Sequence, residues 1–319
     1  NSIFKENVTR KRCLMEKKCI LITGGSGLVG SRLSVLLKEK GHEVRHLSRS
    51  PKSNAVFPSF KWNINEQYID SEALKGVDVI IHLAGAGIAD KRWTDARKQL
   101  IISSRVESTR LLYRTIDKLE NPPESFLAAA AVGLYGDRGD EQLTEESEPG
   151  SGFLAESCIA WENALDELDH PKVRLVKLRI GIVMSTQGGA LEKMLLSFHA
   201  RLGTYFGKGK QFYPWIHIED LSRMFIWAIE NPEIAGTFNA VAPEPQRNKA
   251  LTEKIAKALD KPSLIVPAPE FGLRLAMGEM ADVVMVSANV SNEKIAKAGF
   301  KYQHPELVSA LKDLLKRKI

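Results

Sequence analysis

The chain has 319 residues, of which 44% are hydrophobic and 26% are charged, and a formal net charge of +6 at pH 7. This composition suits a globular protein with one large domain, or one domain and a smaller appendage. The modest charge, the lack of an apolar run as long as a membrane span and the lack of a signal-peptide pattern predict no nucleic-acid partner and no membrane partner.

Residues 1–16 have no hydrophobic periodicity and include several cations, and we interpret them as a leader or disordered tail. Cys13, Cys19 and Cys158 show no paired spacing. This argues against a disulfide framework or a zinc site and favours a reducing compartment, so we expect a cytoplasmic protein. His42 and His46 flank a predicted strand, where their spacing does not bring them to one metal ion, and we predict no metal site.

The first predicted element is a short apolar strand, 20–22, that ends in a glycine-rich turn. Gly24 permits a tight turn, Gly27 permits the close approach of a pyrophosphate, and Gly30 permits close packing of a helix on the strand. A helical pattern follows the turn directly. Strand, glycine turn and helix together present backbone N–H groups and a positive helix end to a phosphate, which predicts dinucleotide binding.

The second strand, 43–47, runs into Ser48-Arg49-Ser50-Pro51-Lys52. An NAD-preferring site carries an Asp or Glu at this point, which hydrogen-bonds the ribose hydroxyls. Here the carboxylate is missing and two cations are present, which favours the 2′-phosphate of NADP over NAD. The alternative is a solvated loop after a strand.

Strands and helices then alternate. We predict strands at 60–64, 77–83, 126–132, 173–180 and 236–240, and helices at 91–112 and 155–168, with a further helix that ends at 229. This alternation predicts an α/β fold with a Rossmann-type, doubly wound, mostly parallel sheet.

The last third predicts a smaller, mainly helical lobe that closes a cleft over the cofactor domain. Its helices fall at 251–259 and 306–315 on either side of a proline-rich stretch, and 203–213 is predicted to be loop. We place the cofactor domain at 17–185, with 211–242 returning to it. The substrate lobe takes 186–210 and 243–319.

These motifs resemble a known family. Thr23-Gly-Gly-Ser-Gly-Leu-Val-Gly30 resembles the Thr-Gly-x-x-Gly-x-x-Gly of extended short-chain dehydrogenases/reductases. More narrowly, the chain resembles an atypical, nucleotide-sugar epimerase-like subfamily with a C-terminal domain of unknown function. The supporting segments are His82-Leu-Ala-Gly-Ala86, Arg92-Trp-Thr-Asp-Ala-Arg97, Ser104-Arg-Val-Glu-Ser-Thr109, Gly188-Gly-Ala-Leu191 and Trp215-Ile-His-Ile-Glu-Asp220.

The resemblance implies NADP(H) on the glycine loop, the adenine near Asn63 and Ile64, and the nicotinamide near 178–181. With the glycine loop and the cations after the second strand, the expected cofactor-binding residues are Thr23, Gly24, Gly27, Leu28, Val29, Gly30, Ser48, Arg49, Asn63, Ile64, Ala84, Gly85 and Arg179.

The family's catalytic residues are missing. The family uses Tyr-x-x-x-Lys with a Ser or Thr on the preceding strand, and its lysine lowers the pKa of the tyrosine. Alignment on Glu162 puts Leu154 at the Tyr position and Cys158 at the Lys position, while Ala130 falls at the Ser position.

The candidates to replace the missing proton donor are Tyr135, which follows the strand that would have carried the serine, and Cys158. The alternative for Tyr135 is packing, and for Cys158 a small buried hydrophobe. We interpret His217 as an orienting group that anchors the two lobes, and Asp220 as the N-cap of the next helix.

The sequence therefore predicts an NADP(H)-binding, epimerase-like oxidoreductase. Its partner is a small-molecule substrate such as a sugar nucleotide or a carbonyl compound. The alternative is a catalytically inactive NADP(H)-binding sensor or regulatory protein. We expect a monomer or a homodimer.

Overall fold

The computed structural model describes residues 16–316, so nearly all of the predicted leader lies outside the described residues. Strands alternate with helices through the first two thirds of this range. The strands are β1 (Cys19–Thr23), β2 (Glu43–Ser48), β3 (Ser59–Asn63), β4 (Tyr68–Ile69), β5 (Val79–His82), β6 (Ser125–Ala131), β7 (Gln142–Leu143), β8 (Arg174–Ile180), β9 (Ile182–Met184), β10 (Leu202–Phe206), β11 (Phe212–Tyr213), β12 (Trp215–His217), β13 (Gly236–Ala240), β14 (Gln246–Arg247), β15 (Leu264–Ala268) and β16 (Asn289–Val290).

The α-helices follow the same order. They are α1 (Leu28–Glu39), α2 (Asp95–Ile116), α3 (Phe153–Asp166), α4 (Gly189–His199), α5 (Ile218–Glu230), α6 (Asn248–Leu259), α7 (Glu270–Met277), α8 (Asp282–Met285), α9 (Glu293–Lys297) and α10 (Leu307–Lys316). Single 3-10 turns occupy Ser71–Leu74, Val132–Tyr135 and Gly278–Ala281. None of the helices in the described range is long and apolar enough to cross a membrane.

The central sheet has eight strands in the order β13-β8-β6-β5-β1-β2-β3-β4. Every neighbouring pair is parallel except β3 and β4. The chain moves outward from β1 in one direction through β2 and β3, and then in the other direction through β5, β6, β8 and β13. The strand order therefore reverses between β1 and β5, which is where doubly wound sheets bind their ligands.

Helices cover both faces of this sheet, as the alternation predicts. On one face, α1 and α5 bury side chains such as Leu33, Leu37 and Phe225 against β1, β5 and β8. On the other face, α2 and α3 bury Leu112 and Trp161 against the same sheet. Continuously apolar strands such as β1, whose five residues are all buried, fit this two-sided burial. The predicted Rossmann-type fold is confirmed.

A separate apolar cluster organises the C-terminal part, where α4, α6 and α10 pack together through residues such as Leu195, Leu251 and Leu311. The prediction of loop at 203–213 is wrong, because β10 forms there and pairs in parallel with β15 from the proline-rich stretch. The strand β13 joins the central sheet next to β8, which places this part of the predicted returning segment 211–242 on the sheet of the cofactor domain. The exact division into domains stays a prediction.

Candidate functional site

The glycine loop between β1 and α1 is built without room for side chains. Gly24 has a φ of +69°, and a Cβ added there would lie 3.0 Å from the backbone carbon of Leu83. A Cβ on Gly30 would lie 2.3 Å from the carbonyl oxygen of Gly24 and 2.7 Å from the Cα of Gly25. Glycine is therefore required at position 24 by backbone conformation and at position 30 by close packing of the helix on the loop.

The N-terminus of α1 is open to a ligand. Gly27 is its N-cap and contributes no side-chain cap, and the first turn contains no acidic residue. The backbone N–H groups of this turn and the positive end of the helix dipole are therefore available to an anion. Leu28 and Val29 are in this first turn, and their binding of the cofactor through backbone amides stays a prediction.

A cavity of about 580 Å³ lies at the carboxyl ends of β1, β2 and β5. Seven of the predicted cofactor-binding residues line it: Gly24, Gly27, Ser48, Arg49, Ile64, Ala84 and Gly85. Asn63 lines an adjoining cavity of about 280 Å³ that shares Arg49, Trp62 and Ile64 with the first. The structure thus brings the glycine loop, Arg49 and the loop after β5 to one site, whereas Lys52, the other cation after β2, lines neither cavity.

The charges of this cavity are mainly positive. Arg49 makes no hydrogen bond and no ion pair with any residue of the described range 16–316. Arg97 also lines the cavity, donates to the carbonyl oxygen of Gly87 and lies 3.5 Å from Asp90, the carboxylate in the lining. An anion with several charged groups therefore suits this site.

The lining residues that sequence reasoning missed include Trp62, Asp90, Arg97 and Ser104. Two of them belong to segments that resemble the family: Arg97 is the last residue of 92–97, and Ser104 is the first residue of 104–109. Trp62 is adjacent to the predicted Asn63, but strand alternation alone does not show which neighbour reaches a cavity.

A buried histidine connects the glycine loop to α2. Thr23 Oγ1 accepts hydrogen bonds from the backbone N–H groups of Leu83 and Ala84, both at 3.1 Å, so its own hydroxyl donates to His82 Nδ1 at 2.7 Å. The proton of His82 then lies on Nε2, which donates to Ser108 Oγ at 3.2 Å. Burial lowers the pKa of His82 to about 3, and the imidazole is therefore neutral. Thr23 does not line the cavity, but it holds the backbone of Leu83 and Ala84, which do.

Tyr135 and Arg179 lie in a buried cluster away from the cavity lining. The hydroxyl of Tyr135 donates to Asn239 Oδ1 at 2.7 Å and accepts from Arg179 at 2.9 Å, while Arg179 forms a two-point ion pair with Glu162. Tyr135 is 0% exposed, and burial raises its pKa. The geometry gives both residues structural contacts. A catalytic role for Tyr135 and a cofactor contact for Arg179 stay predictions that these contacts do not favour.

Cys158 and Leu154 lie one helical turn apart on α3 and face Gly133, just after β6. A Cβ added to Gly133 would be 3.4 Å from the sulfur of Cys158 and 3.9 Å from the Cβ of Leu154. Burial raises the pKa of the Cys158 thiol to about 12, so it is protonated and unreactive at neutral pH. This contact agrees with the predicted alignment, but it gives no support to Cys158 as an acid or nucleophile.

His217 is the N-cap of α5, where its Nδ1 accepts from the backbone N–H of Glu219 at 3.0 Å. The interpretation of Asp220 as the N-cap is therefore wrong. Asp220 is buried and accepts hydrogen bonds from the backbone N–H groups of Gln303 and His304, at 2.7 and 2.8 Å. Both residues thus attach α5 to the C-terminal segment.

His217, His304 and Asp313 also bring three possible metal ligands within 4.8 Å of one another. The capping bond of His217 holds its proton on Nε2, which lies 3.4 Å from an oxygen of Asp313. A protonated nitrogen cannot bind a metal ion, and the rings of His217 and His304 are stacked with centroids 3.9 Å apart. We interpret the cluster as packing between α5 and the C-terminal segment.

The site and sheet together define a Rossmann-type nucleotide-binding fold. A sequence model described as the NAD dependent epimerase/dehydratase family matches residues 20–241. A domain of unknown function, DUF1731, matches residues 268–314. The chain belongs to the NAD dependent epimerase/dehydratase family and carries this C-terminal domain.

Known relatives agree with this assignment over nearly the full chain. "Epimerase family protein Mb2239" of Mycobacterium bovis is 32% identical over 298 residues, which are 93% of this chain and 97% of that protein. The crystal structure of the human epimerase family protein SDR39U1 with NADPH is 30% identical with a TM-score of 0.85, and the match covers 93% of this chain and 99% of that chain. UDP-glucuronic acid 4-epimerase from Bacillus cereus shares the fold at 18% identity, with a TM-score of 0.74 over 94% of this chain and 100% of that chain.

Proposed function

We propose that this protein is an NADP(H)-dependent oxidoreductase of the epimerase-like type, with NADPH bound in the 580 Å³ cavity. The observation that carries the proposal is the pairing of an uncapped α1 N-terminus, closed in by Gly24 and Gly30, with Arg49 at the end of β2. The first suits a pyrophosphate and the second suits a 2′-phosphate. The NADPH of the human relative supports the same cofactor.

The residues present fit this cofactor. The backbone N–H groups of the glycine loop would hold the pyrophosphate, Arg49 and Ser48 the 2′-phosphate, and Asn63 and Ile64 the adenine. Ala84 and Gly85 provide a wall without bulky side chains. NADPH supplies a hydride to an electrophilic carbon when it is bound.

The proposed substrate is a small molecule, a carbonyl compound, activated alkene or sugar nucleotide, which enters between the cavity and the C-terminal segment. Arg92 donates to the carbonyl oxygens of Leu275 and Ala276, and Lys98 pairs with Glu279, so α7 and the following turn lie against the start of α2. These contacts close one side of a cleft beside the cavity. Cysteine usage supports the cytoplasm as the proposed location.

A second candidate function is a catalytically inactive NADP(H)-binding sensor. In its favour, Leu154 and Cys158, which the sequence alignment predicts at the positions of the family's tyrosine and lysine, supply neither a proton donor nor a cation. Turnover separates the two candidates. If NADPH is consumed with any carbonyl, enone or nucleotide sugar faster than without protein, the result supports the oxidoreductase over the inactive sensor.

Cofactor binding is tested by the thermal shift produced by NADPH, NADP, NADH and NAD on wild type and on Arg49→Ala. A ligand that binds only the folded state raises the Tm. In wild type, we expect NADPH and NADP, which carry the 2′-phosphate, to give a larger shift than NADH and NAD. Arg49→Ala should lose most of this difference, because loss of a charge-assisted contact reduces the free energy of binding by about 1.5–3 kcal/mol. Lys172→Ala removes an exposed cation just before the amino end of β8, is the control, and should keep the preference. No shift with any of the four cofactors, on protein shown to be cofactor-free, would refute the proposal.

A further inference from the structure

The side chain of Arg105, on α2, runs beneath the loop that follows β5. Its Nη1 donates to the carbonyl oxygens of Ala86 and Ile101, at 3.0 and 2.9 Å. A Cβ added to Gly85 would lie 3.0 Å from the guanidinium carbon. Because Gly85 lines the cavity, the guanidinium lies beside the cavity, next to a residue that has no side chain.

This cation has no carboxylate partner in the described range. The guanidinium lies over the ring of Trp161, 4.8 Å from the centroid, and the neighbouring titratable groups that act on it are Cys158 and Arg97. Its Nε and Nη2 donate to no residue of 16–316. A largely buried charge without a counter-charge is costly, and oxygens of a bound ligand would offset that cost.

The sheet order shows which end of a dinucleotide lies near Arg105. Arg49 follows β2 on one side of β1, whereas β5 and β6 lie on the other side. A dinucleotide bound across this reversal places its adenine half toward β2 and its nicotinamide half toward β5 and β6. Arg105 is next to Cys158, which faces Gly133 just after β6. Alignment of the sequence on Glu162 puts Cys158 at the position of the family's lysine.

We propose that Arg105 replaces this lysine from a different helix, and that its Nε and Nη2 bind the nicotinamide half of NADPH. The cation that α3 lacks at position 158 is thus supplied by α2. This role rests on the proposed function, because it requires that NADPH occupies the cavity. A structural role would affect the binding of both halves of the cofactor, whereas this role affects only the nicotinamide half.

The test is the Kd of NADPH and of adenosine 2′,5′-bisphosphate, measured by calorimetry on wild type, Arg105→Gln and Arg110→Gln. The bisphosphate has the adenine half and the 2′-phosphate but no nicotinamide. We expect Arg105→Gln to weaken NADPH about tenfold, the loss of one charge-assisted contact, with the bisphosphate unchanged. Arg110→Gln removes an exposed cation from the same helix, one that pairs with Glu167, and should change neither Kd.

The double variant Arg105→Gln/Cys158→Lys moves the charge to the other helix. We expect it to bind NADPH more tightly than Arg105→Gln does. A folded double variant with no gain, an unchanged NADPH Kd in Arg105→Gln, or equal losses for both ligands would overturn the role of Arg105. If wild type binds neither ligand, the proposed function itself fails, whereas a bisphosphate Kd that depends on Arg49 supports the proposed cofactor binding independently of Arg105.

Discussion

Acidification should weaken the fold through His82. Its two ring nitrogens are bonded to Thr23 and Ser108. The bond to Ser108 requires a proton on Nε2, and the bond from Thr23 requires that Nδ1 has none, which only the neutral imidazole provides. A proton added to Nδ1 would meet the hydroxyl of Thr23, whose oxygen already accepts from two backbone N–H groups. The folded chain therefore excludes the proton that an unfolded chain takes up.

The size of this effect follows from the two pKa values. The pKa of His82 is about 3 in the folded chain and 6.5 for an unperturbed histidine. Between these values the unfolded state binds the proton and the folded state does not, so the free energy of unfolding falls as the pH falls. From pH 7.5 to pH 5.0 the loss due to this one group is about 2 kcal/mol. Burial also lowers the pKa values of His42 and His46, which adds to the loss.

Urea unfolding at pH 7.5, 6.5, 5.5 and 5.0 measures this loss in wild type and in His82→Asn. The variant keeps an acceptor for Thr23 but has no titrating ring. We expect it to be less stable at pH 7.5 by about 1–3 kcal/mol, because Ser108 loses its donor, and to show a shallower pH dependence. His199→Asn, at an exposed histidine, is the control and should match the wild-type slope. Equal slopes for wild type and His82→Asn would refute the buried neutral imidazole.

Two further experiments test the glycine loop and the thiol. Gly30→Ala should abolish the NADPH-induced thermal shift and destabilise the fold by about 1–3 kcal/mol, since the new Cβ would lie 2.3 Å from the carbonyl oxygen of Gly24. Gly272→Ala, in the exposed helix α7 with 3.6 Å to its nearest neighbour, should be neutral or stabilising in the same melt. Cys158 should resist iodoacetamide in the folded chain and react only after denaturation, as read by peptide mass mapping, because its thiol is 5% exposed and protonated. Labelling of Cys158 in native protein at the rate of the denatured chain would contradict its burial.

The sequence predicted the structure best where a short segment determines its own secondary structure. β13 has the predicted bounds 236–240, and the strand, glycine turn and helix around Gly24 and Gly30 formed where expected. Apolar runs identify strands buried on both faces, and glycines identify the turn. The position of Arg49 followed in the same way, because the end of β2 has a fixed place beside a dinucleotide.

Long-range contacts explain what sequence reasoning missed. The strand β10 exists because it pairs with β15, some sixty residues later, and its own glycine-containing sequence resembles a loop. Asp is a residue type that often caps helix N-termini, but the carboxylate of Asp220 accepts hydrogen bonds from the backbone of Gln303 and His304. His217 caps the helix instead. Arg105 belongs to the segment 104–109 that resembles the family, but the sequence does not show that its side chain packs against Trp161 and Gly85 beside the cavity.

The predicted lack of the family's tyrosine and lysine limits the chemistry that we expect of the proposed enzyme. Leu154 and Cys158 cannot transfer a proton at neutral pH, and the hydroxyl of Tyr135 is held by Asn239 and Arg179. Oxidation of an alcohol needs a base at the reacting oxygen, which none of these residues supplies. Reduction of an activated alkene leaves a delocalised anion that solvent can protonate afterwards. Activated alkenes are therefore the first substrates to test, and nucleotide sugars that require removal of a hydroxyl proton are the last.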